Sequence, residues 1–309
     1  MYIRNDMHES ASLVCKFCQS QDVVKHGRKG TAQRYLCNAC KHHFVANGNT
    51  FPRMRSNEHV IVTGLNLYFE GLSARKVQKQ MKDIYGEELS QTTIWSWVQK
   101  YSKLAAEYAK TLTPQVSGKI HHDETQIKVD GTYHWFWEAL DGETRFIVAS
   151  HISGVRNHAE TFQMFKKIKE GCGAQPQAIF VDGSNSYDLP FDLAFNYEPQ
   201  KVAKVEMVKR VGIRARETNN IVERLHSTLK MRTGTMRGMK GPETAKVLLD
   251  GWVTHYNFCR EHMSLKMTPA QAAGLEVKGW KSLIREAQAE KTKAQLQEKE
   301  ALQIEVKVN

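Results

Sequence analysis

Four cysteines constrain this chain more tightly than any other feature. They form two pairs, Cys15-Lys-Phe-Cys18 and Cys37-Asn-Ala-Cys40, with 18 residues between the pairs. Each CxxC makes a tight knuckle that aims two thiolates at one point. Two knuckles at the ends of a hairpin complete a tetrahedral four-sulfur site. The segment is too short and polar to build a core, so one structural Zn2+ is expected to supply its folding energy. Two disulfides, or four unrelated thiols, are the alternatives, and disulfides suit a secreted chain. Residues 1–50 are thus expected to form a zinc ribbon. It carries Lys25, His26, Arg28, Lys29, Arg34, Lys41, His42 and His43, a basic surface suited to DNA or to service as an interaction module. Cys172 and Cys259 stand alone and read as buried small hydrophobes.

At 309 residues the chain has room for one sizeable core and smaller modules. A hydrophobic fraction of 41% and a charged fraction of 25% lead one to expect a soluble globular protein. No run approaches the roughly 20 apolar residues of a membrane span. The stretch MYIRNDMHESASLV holds no apolar block like that of a signal peptide. A cytoplasmic, nucleoid-associated location with no membrane partner is expected. The net charge of +11 favours a polyanionic partner, most simply nucleic acid. Lys201 to Lys240 is the most basic part, with eleven Lys/Arg against three Glu, a local charge of +8.

Residues 55–113 read as helical. Ser73 can cap a helix in which Ala74, Val77, Met81 and Ile84 form an apolar stripe, and Gly86 ends it. Ser90 caps the next helix, with Leu89 and Ile94 placed as a hydrophobic staple. A short glycine-containing turn between two helices, the second polar at its start, matches a DNA-binding helix-turn-helix. Gln91, Thr92 and Ser96 would then face DNA. A plain helical hairpin is the alternative.

After Pro114 the period changes to two. In GKIHHDETQIKVD, Asp123, Thr125, Ile127 and Val129 share the more apolar face; His122, Glu124, Gln126 and Lys128 share the polar one. Thr132 to Asp141 and Thr144 to Ser153 read as two further antiparallel strands, with hairpin turns at Asp130-Gly131 and Asp141-Gly142. His158 to Gly171 is a helix, and Ala178 to Val181 a fully apolar, central strand that ends at Asp182. A carboxylate there sits where α/β folds place their chemistry. A further strand is expected over Lys201 to Val208, then the helix of NNIVERLHSTLKMR. Asn220 can cap that helix, with Glu223 three residues on. This is the order of a ribonuclease H-like α/β fold: a mixed five-stranded sheet flanked by helices, its first and fourth strands adjacent at the centre.

Asp123, Asp182 and Glu223 would converge in that fold. Three clustered carboxylates repel one another unless cations neutralise them. Two Mg2+ (or Mn2+) ions prefer such oxygens, leave sites for water and phosphate, and drive phosphodiester displacement. Trp135 and Trp137 read as core, as does the stripe Ala245, Leu248, Leu249, Trp252 and Tyr256.

DETQIKVDGTYHWFWEALD, IFVDGSNSY, NNIVERLHSTLKMR and HYNFCREHMSLKMTPAQAAGL together resemble the motifs of insertion-sequence DDE transposases, whose core is similar to retroviral integrase. The likeness spans roughly Ile120 to Leu275, and a ribbon plus helix-turn-helix ahead of it suits the family. It implies that Asp123, Asp182 and Glu223 are the catalytic, metal-binding triad. It implies a DNA-contacting Lys230 and a polar His226 beside the acid, and Arg232 and His226 are expected with Lys230 as DNA-binding residues. Tyr256, Asn257, Arg260 and His262 match the helix that closes the core, as structural or DNA-binding residues. The 40 residues between Asp182 and Glu223 exceed the family's common spacing, which keeps Glu206 and Glu217 in view as rivals for the third acid.

The expected organisation is a zinc ribbon (1–50), a helix-turn-helix domain (55–113), a catalytic domain (114–276) and a polar tail (277–309), helical or disordered. The expected function is that of a DNA transposase. It binds the ends of its element, hydrolyses a phosphodiester and transfers the strand to target DNA. The resemblance implies a homodimer or higher assembly on double-stranded DNA. Two alternatives stay open: a domesticated transposase acting as a DNA-binding regulator without catalysis, and a nuclease without strand transfer.

Overall fold

The computed structural model describes residues 13–30, 32–45, 51–52, 54–197, 204–210, 220–236 and 239–308. Two compact units emerge, one of Met1–His59 with Ile284–Asn309 and one of Val60–Leu283. The first holds an antiparallel sheet of β1 (Val23–Lys29), β2 (Ala32–Cys37) and β3 (His43–Val45), in that order. Its small core is Cys15, Cys37 and Cys40 with Phe17 and Phe44, against which Leu13, Cys18, Tyr35 and Leu296 pack. Leu296 gives the polar C-terminal segment a packing partner that its composition conceals.

The second unit begins in α1 (Glu58–Phe69), followed by α2 (Ala74–Tyr85) and α3 (Gln91–Ala109). The expected caps are present. Ser73 accepts from Lys76 N, Ser90 accepts from Thr93 N, and Gly86 closes α2 in the left-handed conformation. Val77 and Met81 are buried as their stripe requires, but Ile84 is 57% exposed.

The chain then forms β4 (Lys119–Val129), β5 (Thr132–Asp141) and β6 (Ile147–Ser153), α4 (His158–Gly171) and β7 (Ala178–Asp182). The segment Asn185–Asn196 follows as a 3-10 turn, α5 (Asp188–Phe191) and a π turn. The remaining elements are β8 (Glu206–Arg210), α6 (Asn220–Thr233), α7 (Pro242–Phe258), α8 (Pro269–Ala272) and α9 (Gly279–Val308). The sheet order is β6-β5-β4-β7-β8, with β7 parallel to both β4 and β8. First and fourth strands of the core are therefore neighbours, as a ribonuclease H-like fold demands.

Asp130 and Gly131 both have positive φ, which suits the two-residue hairpin expected there. The second reversal differs from the tight Asp141-Gly142 turn expected. Arg145 takes the left-handed position (φ 62), and Asp141 accepts from Thr144 N at 2.9 Å and Thr144 Oγ1 at 2.8 Å to hold the loop. The last strand also differs: it runs Glu206–Arg210 rather than Lys201 to Val208, and residues 201–203 lie outside the described residues.

Strand alternation divides the sheet's two faces. Ile120, Trp137, Ile179 and Val181 join Met164, Phe165 and Ile168 of α4 in one cluster, which Tyr187 and Phe191 complete. The opposite face of β4 is covered by α6. The even-numbered face of β4, read as the polar one, is thus partly core: His122 is fully buried, its ring stacked on Trp137. Long-range packing by α4, set far along the chain, overrides the local pattern.

Candidate active site

Asp123 lies near the middle of β4 and Asp182 at the carboxyl end of β7. Parallel pairing of His121 with Phe180 sets the register that brings them level. Carboxylate oxygens of Asp123, Glu124 and Asp182 all lie within 4.8 Å of one another. The backbone shapes both aspartates alike. Asp123 Oδ1 accepts from Glu124 N and Asp182 Oδ1 from Ser184 N, each at 2.9 Å. Their Oδ2 atoms remain for the site. The side chain of Asp182 is 44% exposed and that of Asp123 is 22% exposed.

Glu124 is built differently. Its side chain is 3% exposed, accepts from Tyr187 Oη at 2.5 Å and pairs with Arg156 Nε. Arg156 Nη2 also lies 3.6 Å from Asp182 Oδ2. Burial pushes the Glu124 carboxyl up, against the Tyr187 hydrogen bond and the Arg156 charge. Burial likewise raises Asp123, against the charge of His226.

α6 supplies His226 from the opposite side. Its Nδ1 is 4.0 Å from Asp123 Oδ2 and its Nε2 is 3.2 Å from Glu138 Oε2. Glu138 is fully buried on β5, directly across from Asp123. Burial pulls His226 down, but the hydrogen bond and charge of Glu138 outweigh it and raise its pKa. His226 thus faces carboxylates, and its 8% exposure corrects the expectation that it contacts DNA.

The other expected residues fall as follows. Glu223 sits on α6 one turn before His226; it is exposed and is not among the three clustered carboxylates. Lys230 is exposed on the same helix. Arg232 is not available as expected: it is 3% exposed, its guanidinium lies 3.8 Å from the Tyr68 ring centre, and it donates to Thr235 Oγ1. Gln91, Thr92 and Ser96 are exposed at the start of α3, although Ser96 Oγ donates to Thr93 O at 2.7 Å. Asn220 is the first residue of α6 rather than its cap; Asn219, at the cap position, lies outside the described residues. Of the rival acids, Glu206 pairs with Ala178, at the far end of β7 from Asp182, while Glu217 lies outside the described residues. Asn257 is structural: its Oδ1 accepts from Ile147 N at 2.9 Å and its Nδ2 donates to Ile147 O at 3.0 Å. Glu124, Glu138, Arg156 and Tyr187 were not anticipated. Tyr187 closes the motif IFVDGSNSY, the one sequence signal that pointed towards it.

The donor set suits a divalent cation. Asp123 and Asp182 offer hard oxygens, and burial destabilises uncompensated charge at Asp123. In the first unit, the four cysteine sulfurs lie within 4.8 Å of one another, with Cys15–Cys40 and Cys18–Cys37 both at 3.6 Å. Zn–S bonds of ~2.3 Å in a tetrahedron set neighbouring sulfurs about 3.8 Å apart, so the cluster fits that ion as thiolates. Burial pushes the Cys15 thiol up to about 11, a charge cost that a bound cation would offset.

Residues 117–262 match the family model DDE_Tnp_IS240, described as a DDE domain. The chain is 30% identical over 190 residues to uncharacterized protein MJ0017 of Methanocaldococcus jannaschii, covering 61% of this chain and 79% of that protein. The chain is a member of the DDE transposase family. It is also 23% identical over 210 residues to the Staphylococcus aureus transposase for insertion sequence-like element IS431mec, covering 66% of this transposase and 85% of that one. Among solved structures, the HTLV-2 integrase catalytic core domain in complex with magnesium aligns at 14% identity with a TM-score of 0.38, over 52% of this chain and 98% of that one. No helix of the described residues is long and apolar enough to cross a membrane.

Proposed function

We propose that this transposase binds the ends of its mobile element through the ribbon and the α2–α3 pair, cuts a phosphodiester there, and joins the freed end to target DNA. One observation carries the reading: Asp123 and Asp182 stand level on adjacent central strands, with His226 of the Glu223 helix beside Asp123. Asp123, Asp182 and Glu223 are the residues we assign to hold two Mg2+ ions. Bound there, the ions would neutralise the scissile phosphate and ease deprotonation of the attacking hydroxyl. In the first step water adds to phosphorus, the P–O3′ bond breaks, and the departing oxygen gains a proton to become a 3′-OH. In the second step that hydroxyl attacks a target phosphorus and expels a target 3′-OH.

The protein's own groups set the geometry. Backbone N–H donors fix one oxygen of each aspartate. Glu138 orients His226, which borders Asp123. Arg156 and Tyr187 hold Glu124, which acts as a positioning residue rather than a ligand. Lys230, exposed on α6, and Gln91, Thr92 and Ser96, exposed on α3, supply DNA contacts. Assembly as a dimer or larger on paired ends completes the proposal, as does one Zn2+ in the ribbon.

The test is purified protein with Mg2+ and duplex DNA carrying its element ends. Cleavage and joining are expected, and Asp182→Asn should lower both by roughly 10²–10³-fold or more while DNA binding persists. Specific binding without metal-dependent cleavage would favour the regulator. Cleavage without joining would favour the nuclease. Wild-type activity in Asp182→Asn would remove the site assignment.

A further inference from the structure

α6 turns a second set of side chains, Arg224 and Leu225 among them, into a cleft of about 310 Å3 that Tyr256 also lines. Three arginines reach it from three elements: Arg145 from the β5–β6 reversal, Arg224 from α6, and Arg260 from just beyond α7. His262 lies with them, and Glu261 is the acid on the lining. The cleft is built, not incidental. Arg145 occupies the left-handed conformation that other side chains avoid. Its Nη1 is buried without a hydrogen-bond partner among the described residues, and so is His262 Nδ1. A buried arginine donor left unmet costs free energy, which an anion drawn into the cleft would offset. Burial pulls the His262 pKa down, and the charges of Arg145, Arg260 and Arg224 pull it further, a sign of how much positive charge converges here.

We propose that this cleft, framed by Arg145, Arg224, Arg260 and His262, holds one backbone phosphate of duplex DNA. Planar guanidinium forks from three directions suit a tetrahedral, multiply acceptor anion; a single carboxylate needs only one fork. The proposal rests on the reading of the chain as a DNA transposase. It adds a phosphate anchor whose residues are separate from the carboxylate cluster, one of them, Arg224, on the helix that carries Glu223. Such an anchor would fix the register of the duplex without reading its sequence.

Fluorescence anisotropy of a labelled duplex across a salt series tests it. Arg145→Gln and Arg260→Gln should each lower the slope of log K against log salt by about one, and the double variant should lower it no further, because both side chains serve one phosphate. Affinity at low salt should fall about tenfold in each. Circular dichroism and thermal melting check folding. Arg224→Gln, at an exposed helical position, gives a variant whose fold is not at stake and should show the same slope. Slopes unchanged in all three variants would overturn the proposal, as would a double variant losing two charges of slope. Asp182→Asn should keep the wild-type slope. A wild-type chain that binds no duplex at all would overturn the transposase reading along with the anchor; unchanged slopes beside intact cleavage would remove the anchor alone.

Discussion

Arg156 holds two carboxylates at once. It pairs with Glu124 and reaches towards Asp182, while its guanidinium lies 5.6 Å from the Trp135 ring centre and 6.0 Å from that of Tyr187. Removing it would leave the Glu124 carboxyl buried, with Tyr187 as its remaining side-chain partner among the described residues and its charged form disfavoured further. Arg156→Ala should therefore destabilise the protein by about 2 kcal/mol, less than for a wholly buried pair because the Arg156 side chain is 30% exposed. Chemical denaturation measures it; a change below about 0.5 kcal/mol would mean that water replaces the arginine at little cost. Asp123 and Asp182 were legible from the sequence because each follows from a local pattern, alternation in one strand and the end of an apolar run in the other. Glu124 and Arg156 were not. Alternation put Glu124 on a polar face, and contacts from Arg156 and Tyr187, both distant along the chain, make it interior. Arg232 misled for a related reason: a basic residue on an amphipathic helix reads as exposed until an aromatic ring such as Tyr68 covers it.

At the scale of elements, α7 organises much of the larger unit. Asn257 returns both of its amide groups to the backbone of Ile147 on the edge strand β6. An edge strand otherwise offers unpaired N–H and C=O groups to any passing chain. Asn257→Ala would leave those two backbone groups buried and unmet, at a cost of about 2–4 kcal/mol. A urea titration should show that loss, and a midpoint equal to wild type would mean that the edge is held by other contacts. Gly251 meets the opposite need. A Cβ there would lie 2.3 Å from Ser102 Oγ of α3 and 2.8 Å from Phe69 of α1, so only glycine lets these helices approach so closely. Helix starts and stops were legible, since Ser73, Gly86 and Ser90 act within one turn of their own positions. Gly251 was not, because its necessity comes from two helices more than a hundred residues upstream.

At the scale of the molecule, the two units draw stability from different sources. The larger buries a continuous core between sheet and helices, whereas the sheet of the smaller packs, among the described residues, around a cluster of five buried side chains, three of them cysteines. A chelator strong enough to strip zinc should abolish the β1–β3 sheet while the larger unit's thermal transition stays in place. Persistence of the ribbon's amide protection after complete metal removal would contradict that, and hydrogen exchange would show it. The sheet register has a last consequence, for how such chains can diverge. Asp123 and Asp182 are 59 positions apart, and so are the paired residues His121 and Phe180. Turns and helices between the strands can differ in length without moving either carboxylate, as long as the aligned pair is kept. A slip of one residue within β7 would swing its carboxylate through the sheet to the α4 side. The geometry therefore accommodates a change of length between Asp123 and Asp182 outside the paired strands, but not a change in the parity with which the strands meet.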